Sequence, residues 1–309
     1  MDQSRPDVPV CSVSNGEHPE LDPPYDLVEP EGPRSNVVLS SPHSGSIYPR
    51  RFIDSARLDP ASLRRSEDAF VDQLFLGGVA HGAPLLRARF PRAFLDVNRE
   101  PYELDPRMFE GRLPAFANTR SPRVAGGLGT IARVVGDAQE IYAKRLSVDE
   151  AIGRIDSLYK PYHAKLRQLL EQAQHNFGSA LLIDCHSMPS SAASGCAGRD
   201  ERMRADVVLG DRYGTSCDRS LVDVAERELR RFGYVVERNR PYAGGFITEH
   251  YGHPATNRHA LQIEINRSLY MDERTFQPLP GFGRLAAHLG ALVAVVTEAM
   301  GGPLQIAAE

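Results

Sequence analysis

The chain has 309 residues, of which 41% are hydrophobic and 25% charged, and its formal net charge is -4. This composition is typical of a globular protein with a sizeable core, and its mild acidity argues against nucleic acid or a membrane as the main partner. No apolar run reaches the roughly 20 residues of a membrane-spanning helix, and the N-terminus lacks the apolar core of a signal peptide. Four scattered cysteines without a CxxC pair predict free thiols in a reducing cytoplasm.

The first 34 residues differ in composition from the rest of the chain. Residues 1–34 are rich in Pro, Glu, Asp and Ser, and such segments pack loosely, so we expect an N-terminal arm. Residues 35–309 contain no internal repeat and no convincing linker, which predicts a single domain. Nothing in the sequence predicts an oligomeric state.

Short apolar runs between turn residues predict strands, and apolar residues with a 3.6-residue period predict helices. In chain order the predicted elements are strand 36–40, helix 60–79, strands 84–88 and 93–97, helix 137–177 interrupted near Pro161, strands 180–185 and 205–209, helix 220–232 with Asp218 as N-cap, strands 234–237 and 260–265, and helix 283–300. The segment 98–137 has no period, as is typical of functional loops. Alternating strands and helices predict an α/β fold, with a mixed, mostly parallel sheet and helices on both faces.

Four clusters of polar side chains follow these apolar runs. They are His43 in NVVLSSPHSG; Asp96, Asn98 and Arg99 in AFLDVNREP; Asp184 and His186 in ALLIDCHS; and Glu264, Asn266 and Arg267 in ALQIEINRSLY. The carboxyl ends of parallel strands meet at one edge of a sheet, where α/β proteins bind ligands. We therefore expect the four clusters to share one crevice.

A crevice with two histidines, several carboxylates and two arginines suits a metal-dependent hydrolase. Neutral imidazoles and one carboxylate hold a zinc ion and leave a position open for water, whose pKa then falls to roughly 7. A carboxylate outside the ligand set carries the proton to the leaving group. Arginines bind substrate carboxylates through paired hydrogen bonds.

Taken alone, each of these residues also has a structural interpretation. His43 is then a loop histidine, and His186 is a hydrogen-bonded core histidine. Arg99 and Arg267 are then ion-pair partners, and Glu264 neutralises one of them. Because four clusters occupy the same topological position, the shared site is the better interpretation.

Cys185 stands next to His186, which raises a cysteine amidase as an alternative, with Cys196 as the other candidate nucleophile. Adjacent residues of a strand point to opposite faces of the sheet, so Cys185 and His186 cannot easily form a nucleophile–base pair. We expect Cys185 to pack in the core.

Several blocks of the sequence resemble, in order, the N-formylglutamate amidohydrolase family: SSPHSG, EDAFVDQL, FLDVNREP, LLIDCHSMP, ADVVLGDRYGTSCD, RPYAGGFITEHYG and LQIEINRSLYMDE. The resemblance runs from about residue 36 to residue 275. It implies a fold similar to the zinc carboxypeptidases and the aspartoacylase-like hydrolases (a phosphorylase/hydrolase-like fold). It also implies the family reaction, in which N-formyl-L-glutamate and water give formate and L-glutamate in histidine degradation.

The resemblance implies that His43 and His186 are ligands of Zn2+ or another divalent metal. In the carboxypeptidase-like group a glutamate stands three residues after the first histidine, but here that position is Ser46. The third ligand is therefore expected downstream in SEDAFVD, where Asp68 is the first choice and Glu67 the alternative. If neither carboxylate binds a metal, Glu67 and Asp68 are simply acidic residues in the first turn of a helix, where the helix dipole favours negative charge.

The resemblance also implies the groups that move protons and orient the ligands. Glu264 matches the late glutamate of the carboxypeptidase-like group and is the expected general base. Asp184 lies two residues before His186 on the same strand face, and we expect it to orient that histidine.

Substrate binding is expected to involve arginines. Asn98 and Arg99 resemble the Asn-Arg pair that the carboxypeptidase-like group uses on a substrate carboxylate, and Arg99 is counted with the catalytic residues. Arg133, Arg240 and Arg267 are further candidates, either for the second carboxylate of glutamate or for polarising the formyl oxygen.

We interpret the sequence as a cytoplasmic metal-dependent amidohydrolase whose single catalytic α/β domain, 35–309, acts on a small anionic N-acyl amino acid, N-formyl-L-glutamate. One alternative keeps the chemistry and changes the substrate to another N-acyl amino acid or a short peptide. A second alternative is a non-catalytic protein that binds metal or ligand on the same scaffold.

Overall fold

A seven-stranded sheet forms the centre of the protein in a computed structural model that describes residues 18–32, 34–136, 138–192 and 205–302. Its strands are β1 Tyr25–Val28, β2 Val37–Ser41, β3 Leu85–Ala88, β4 Ala180–Met188, β5 Val207–Gly210, β6 Val236–Arg238 and β7 Arg258–Asn266, in the spatial order β1-β3-β2-β4-β7-β5-β6. β3, β2, β4 and β7 are parallel to one another, whereas β1 and β5 pair antiparallel with β3 and β7. The predicted mixed, mostly parallel sheet is confirmed.

Helices cover both faces of this sheet. They are α1 Arg50–Ser55, α2 Pro60–Arg64, α3 Val71–Phe75, α4 Pro122–Ala125, α5 Val148–Arg154, α6 Lys160–Phe177, α7 Arg219–Arg231, α8 Phe246–Tyr251 and α9 Phe282–Ala299. Leu182 of β4 packs with α5, α6 and α8, whereas its neighbour Leu181 packs with α3, α7 and α9. This alternation follows from the two-residue period of a strand and gives two apolar layers.

The central position of β4 explains its sequence. All nine of its residues are buried, because β2 and β7 flank it and helices cover both faces. Such strands are nearly continuous apolar runs, as Ala180 to Ile183 is. The preceding helix α6 ends at Gly178, whose φ of 74° is the left-handed conformation that commonly terminates helices.

The predicted helix 60–79 is wrong, because the chain breaks between α2 and α3. Phe70 has a φ of 65°, and the backbone N–H of Asp68 donates to the carbonyl of His43 at 3.0 Å instead of to a helical neighbour. The apolar spacing continues into α3 and a 3-10 turn, Leu76–His81, which accounts for the helical pattern. Tertiary contacts therefore override the local periodicity at Asp68.

The predicted strand 93–97 is also wrong. These residues form a buried turn in which the N–H of Phe94 donates to Pro91 O and the N–H of Asp96 donates to Thr130 O. Three of the four polar clusters therefore follow or lie in sheet strands, and the fourth reaches the same edge from a loop.

Two other boundaries differ from the prediction. The helix predicted to start at 137 begins at Val148, where the hydroxyl of Ser147 accepts from the N–H of Glu150, and it passes through a π-helical turn into α6. Tyr25–Val28, within the predicted arm, is the edge strand β1, so a loosely ordered arm is wrong for this part. Residues 1–17 lie outside the described residues.

The remaining predicted strands correspond to β2 to β7, and the predicted helices 220–232 and 283–300 correspond to α7 and α9. Asp218 caps α7 by accepting from the N–H of Ser220, as predicted. α9 is long and apolar enough to cross a membrane by length and composition alone, with a mean hydropathy of 1.3. Its apolar side, including Leu289 and Val293, packs in the layer against the sheet, which is the position of a core helix.

Candidate metal centre and active site

Three side chains from distant parts of the chain meet at the carboxyl edge of the sheet. His43 follows β2, Asp68 lies between α2 and α3, and His186 lies near the end of β4; each is at most 2% exposed. Asp68 Oδ2 is 3.4 Å from His43 Nδ1 and 3.0 Å from His186 Nδ1. The ligand atoms of the three residues lie within 4.8 Å of one another, which is close enough to share one metal ion.

Glu67, the alternative third ligand, is not part of this group. Tyr48 donates to Glu67 Oε1 at 2.5 Å, and Arg64 Nε donates to the same carboxylate at 3.2 Å. The helix is broken between α2 and α3, so the side chains of Glu67 and Asp68 point in different directions. Glu67 is held by Tyr48 and Arg64, whereas Asp68 contacts the two histidines.

The carboxylate of Asp68 is oriented from behind. Arg267 donates to Asp68 Oδ1 at 3.0 Å and Ser187 donates to the same oxygen at 3.3 Å, which leaves Oδ2 for the histidines. Burial alone would raise the pKa of Asp68, but the hydrogen bond from His186 and the charges of His43 and His186 outweigh it and hold the pKa well below its usual range. Asp68 is therefore an anion at neutral pH.

Each histidine has a carboxylate at its outer ring nitrogen. His43 Nε2 donates to Asp96 Oδ1 at 2.7 Å, and His186 Nε2 lies 3.0 Å from Asp184 Oδ2. A carboxylate at Nε2 favours the tautomer that leaves Nδ1 for a cation. His43 Nδ1 is buried and has no hydrogen-bond partner among the described residues, so the donor set fits a divalent metal.

Glu264 of β7 lies beside this group. It is 8% exposed, and Gln262 Nε2 donates to its Oε1 at 3.0 Å. Burial raises the pKa of Glu264 to about 7, and the positive charge of His186 opposes part of this increase. A carboxyl group with a pKa near neutrality can both accept and release a proton at neutral pH.

A cavity of about 540 Å³ opens onto these residues and is large enough for a small molecule. His43, His186 and Glu264 line it, together with Tyr242 from the loop before α8. Six arginines also line it: Arg65, Arg92, Arg99, Arg123, Arg212 and Arg267. This excess of positive charge suits an anionic ligand.

The structure brings Asn98, Arg99 and Arg267 to the cavity but not Arg133 or Arg240. Arg133 Nε donates to Asp105 at 2.9 Å, and its guanidinium lines a separate, smaller cavity. Arg240 is exposed to solvent. The prediction that Arg133 and Arg240 reach the site is therefore wrong.

Asn98 and Arg99 form several hydrogen bonds or close polar contacts with other protein groups. Asn98 Nδ2 lies 3.1 Å from His186 Nε2, and Asn98 Oδ1 accepts from the N–H of Ile247 at 2.8 Å. Arg99 donates to the carbonyl oxygens of Leu128 and Asn98 at 2.8 and 2.7 Å. Burial lowers the pKa of Arg99 to about 10, so it keeps its charge at neutral pH.

No role for Asp96 or Arg92 was predicted from the sequence. Asp96 Oδ2 accepts from Arg92 Nε at 3.0 Å and lies 3.4 Å from Arg99, while its other oxygen accepts from His43. Burial would raise the pKa of Asp96, but the charges of Arg99, His43 and Arg92 hold it well below its usual range. The available signal was the i, i+4 spacing of Arg92 and Asp96, which the predicted strand obscured.

Cys185 faces away from the metal-binding residues, as predicted. It packs in the apolar layer opposite the site, and burial raises its pKa well above the usual range. A buried thiol with a raised pKa is a poor nucleophile. Cys196 lies outside the described residues.

The chain is similar to known proteins along most of its length. Residues 35–271 match the family model described as N-formylglutamate amidohydrolase. Proteins named N-formylglutamate deformylase from Pseudomonas putida and Pseudomonas aeruginosa are 28% and 29% identical to this chain; each alignment covers 78% of this chain, and 83% and 84% of the relatives. A crystal structure of N-formylglutamate amidohydrolase from Ralstonia eutropha JMP134 is similar with a TM-score of 0.85 and 41% identity, covering 90% of this chain and 98% of that chain.

Proposed function

Because this chain belongs to the N-formylglutamate amidohydrolase family, we propose that it hydrolyses N-formyl-L-glutamate to formate and L-glutamate. The reaction would take place in the cytoplasm and depend on a divalent metal, Zn2+, held by His43, Asp68 and His186. The position of Glu264 beside this His–Asp–His group supports the proposal most directly, because it adds a proton carrier to a metal-binding set.

Two imidazoles and one carboxylate are the donor set of many catalytic zinc sites. When bound, the metal supplies Lewis-acid activation of water at neutral pH. Asp96 and Asp184 keep the two histidines in the tautomer that directs Nδ1 toward the metal, and Arg267 keeps Asp68 in place.

Glu264 carries the proton during hydrolysis. Its carboxylate accepts a proton from the attacking water and delivers it to the nitrogen of the scissile amide, so that L-glutamate leaves as the amine. With a pKa raised to about 7, the same oxygen can do both at neutral pH.

The positive charge of the cavity supports an anionic substrate. N-formyl-L-glutamate carries two carboxylates, and Arg99 and Arg267 place charge at the cavity while their hydrogen bonds hold Asn98 and Asp68. A cavity of about 540 Å³ is large enough for such a molecule.

The proposal is tested by a formate-release assay combined with metal analysis, before and after chelation. We expect formate release that stops on chelation and returns when Zn2+ is added, with no effect of a thiol reagent. A panel of N-formyl, N-acetyl and N-succinyl amino acids would show whether another acyl group is preferred. Tight binding of metal and glutamate without formate release would overturn the proposal in favour of a non-catalytic binding protein.

A further inference from the structure

Most arginines at the cavity already donate to protein groups. Arg267 and Arg99 direct their guanidinium groups at the protein acceptors described above. Arg212 pairs with Glu249 at 2.7 Å on the cavity rim. These side chains contribute charge to the cavity, but much of their hydrogen-bonding capacity is used.

Arg92 is different, because only one of its donors is used within the described part of the chain. Its Nε donates to Asp96 Oδ2 at 3.0 Å, and no described residue accepts from its two terminal amines. The side chain is 28% exposed and lines the cavity. The terminal amines of a guanidinium form a planar fork that matches the two oxygens of a carboxylate.

Asp96 fixes the position of Arg92 relative to the metal-binding residues. One oxygen of this carboxylate accepts from His43 Nε2 at 2.7 Å and from the N–H of Asn98 at 2.8 Å, while the other accepts from Arg92. Because Asp96 is held at both oxygens, Arg92 is oriented before any ligand binds, which lowers the entropic cost of binding.

We propose that Arg92 binds the α-carboxylate of the N-acyl amino acid and so selects substrates in which this carboxylate is free. The inference rests on the proposed function. In such a substrate the α-carboxylate is attached to the same carbon as the scissile nitrogen, whereas the side-chain carboxylate of glutamate lies two methylene groups further away. Arg92 and His43 donate to the two oxygens of the same carboxylate, that of Asp96. This proximity of Arg92 to the candidate metal ligands suits the α-carboxylate, which is the substrate anion nearer to the scissile bond.

The test compares the wild type with Arg92→Gln on N-formyl-L-glutamate and on its α-amide, which lacks only the α-carboxylate. For N-formyl-L-glutamate we expect KM to rise by about 10-fold to 100-fold, because one charge-assisted pair is lost. For the α-amide we expect the two proteins to have the same constant, measured as KM or, where turnover is slow, as the inhibition constant against N-formyl-L-glutamate.

Arg50→Gln is the matched control, since Arg50 and Asp54 form the same i, i+4 pair on the exposed surface of α1. We expect its constants to equal those of the wild type. Arg92→Lys keeps the charge but not the fork, and its KM should lie between those of the wild type and Arg92→Gln. Metal content should be unchanged in all three variants.

Two results would overturn the inference while leaving the proposed function intact. One is an unchanged KM for N-formyl-L-glutamate in both Arg92 variants. The other is an equal loss on the acid and the α-amide together with a lower metal content, which would mean that Arg92 acts only through Asp96 and His43. Absence of formate release by the wild type would instead overturn the proposed function itself.

Discussion

Glu264 of β7 lies directly opposite His186 of β4 in the parallel pairing of these two central strands. Paired residues direct their side chains to the same face, so the register of the two strands sets the position of the carboxylate relative to the imidazole. A slip of one residue would place Ile263 or Ile265, which belong to the opposite apolar layer, at that position. The geometry of the site therefore depends on the pairing at the centre of the sheet.

Replacing Glu264 by Gln removes the carboxylate that is proposed to accept the proton and keeps the size of the side chain. We expect the rate of formate release to fall by a factor on the order of 100 or more, with metal content unchanged. Glu171→Gln, on the exposed side of α6, is the control and should retain full activity. Undiminished turnover by Glu264→Gln would rule out its role as the base.

The two neighbouring carboxylates Asp68 and Glu67 can be distinguished by metal binding. Asp68→Asn removes the charge that faces both histidines, and we expect metal affinity to weaken by at least about 10-fold. Glu67→Gln is the matched control, because that side chain is held by Tyr48 and Arg64, and its metal content should equal that of the wild type. Calorimetric titration with Zn2+ measures the metal affinity of both variants. Weaker binding by Glu67→Gln and unchanged binding by Asp68→Asn would identify Glu67 as the ligand.

Gly245 supports the site through a close contact. A Cβ at this position would lie 2.4 Å from Asn98 Oδ1, and Asn98 is in turn 3.1 Å from His186 Nε2. We expect Gly245→Ala to lower the rate of formate release by about 10-fold to 100-fold, because small displacements of positioning groups are costly in catalysis.

The control for this substitution is Gly283→Ala in α9, where a Cβ would meet no described atom within 4 Å apart from the backbone of its own helix. Its activity should be unchanged and its melting temperature slightly higher, because alanine is the better helix former. Equal activity of the two variants would mean that the position of Asn98 does not matter.

His163 of α6 predicts how stability depends on pH. Its Nε2 donates to Val97 O at 2.8 Å, and burial lowers its pKa from 6.5 to about 4. Between these two pH values the unfolded chain binds a proton that the folded protein does not, so the free energy of unfolding decreases as the pH falls from 6.5 toward 4. The decrease in the free energy of unfolding that His163 contributes over this whole range is about 3 kcal/mol.

Urea denaturation of the wild type and of His163→Gln at about pH 7.5 and about pH 5 measures this contribution. Glutamine is chosen because it cannot titrate and can still donate a hydrogen bond. We expect the loss of stability on acidification to be smaller in the variant. An identical loss in both proteins would show that His163 is not responsible.

The proximity of the two histidines among the candidate metal ligands could be predicted because their signals are local. His43 and His186 each follow a short apolar run, and the strands that these runs form lie next to each other in the sheet. The break that presents Asp68 could not be predicted, because the apolar spacing continues across it and its cause is the hydrogen bond to His43, 25 residues earlier in the chain.

The role of Arg92 was missed for a related reason. The buried run 93–97 has the composition of a strand, and only contacts such as the one between Asp96 and Thr130 show that it is a turn. If Arg92 began a strand, its side chain would not be expected to reach the site. In the observed turn, Arg92 lies four residues before Asp96 and pairs with it. The pairing of Tyr25–Val28 with β3 also depends on residues that are far apart in the chain.

The central position of β4 has a consequence for amide hydrogen exchange. Strands flanked on both sides and covered on both faces open only with global unfolding, so their amides exchange most slowly. His186 and Glu264 lie on two such strands, whereas Asp68 and Asp96 lie in loops. Exchange at Asp68 and Asp96 should therefore be faster than at His186, and binding of metal should slow it at the loops far more than in the sheet.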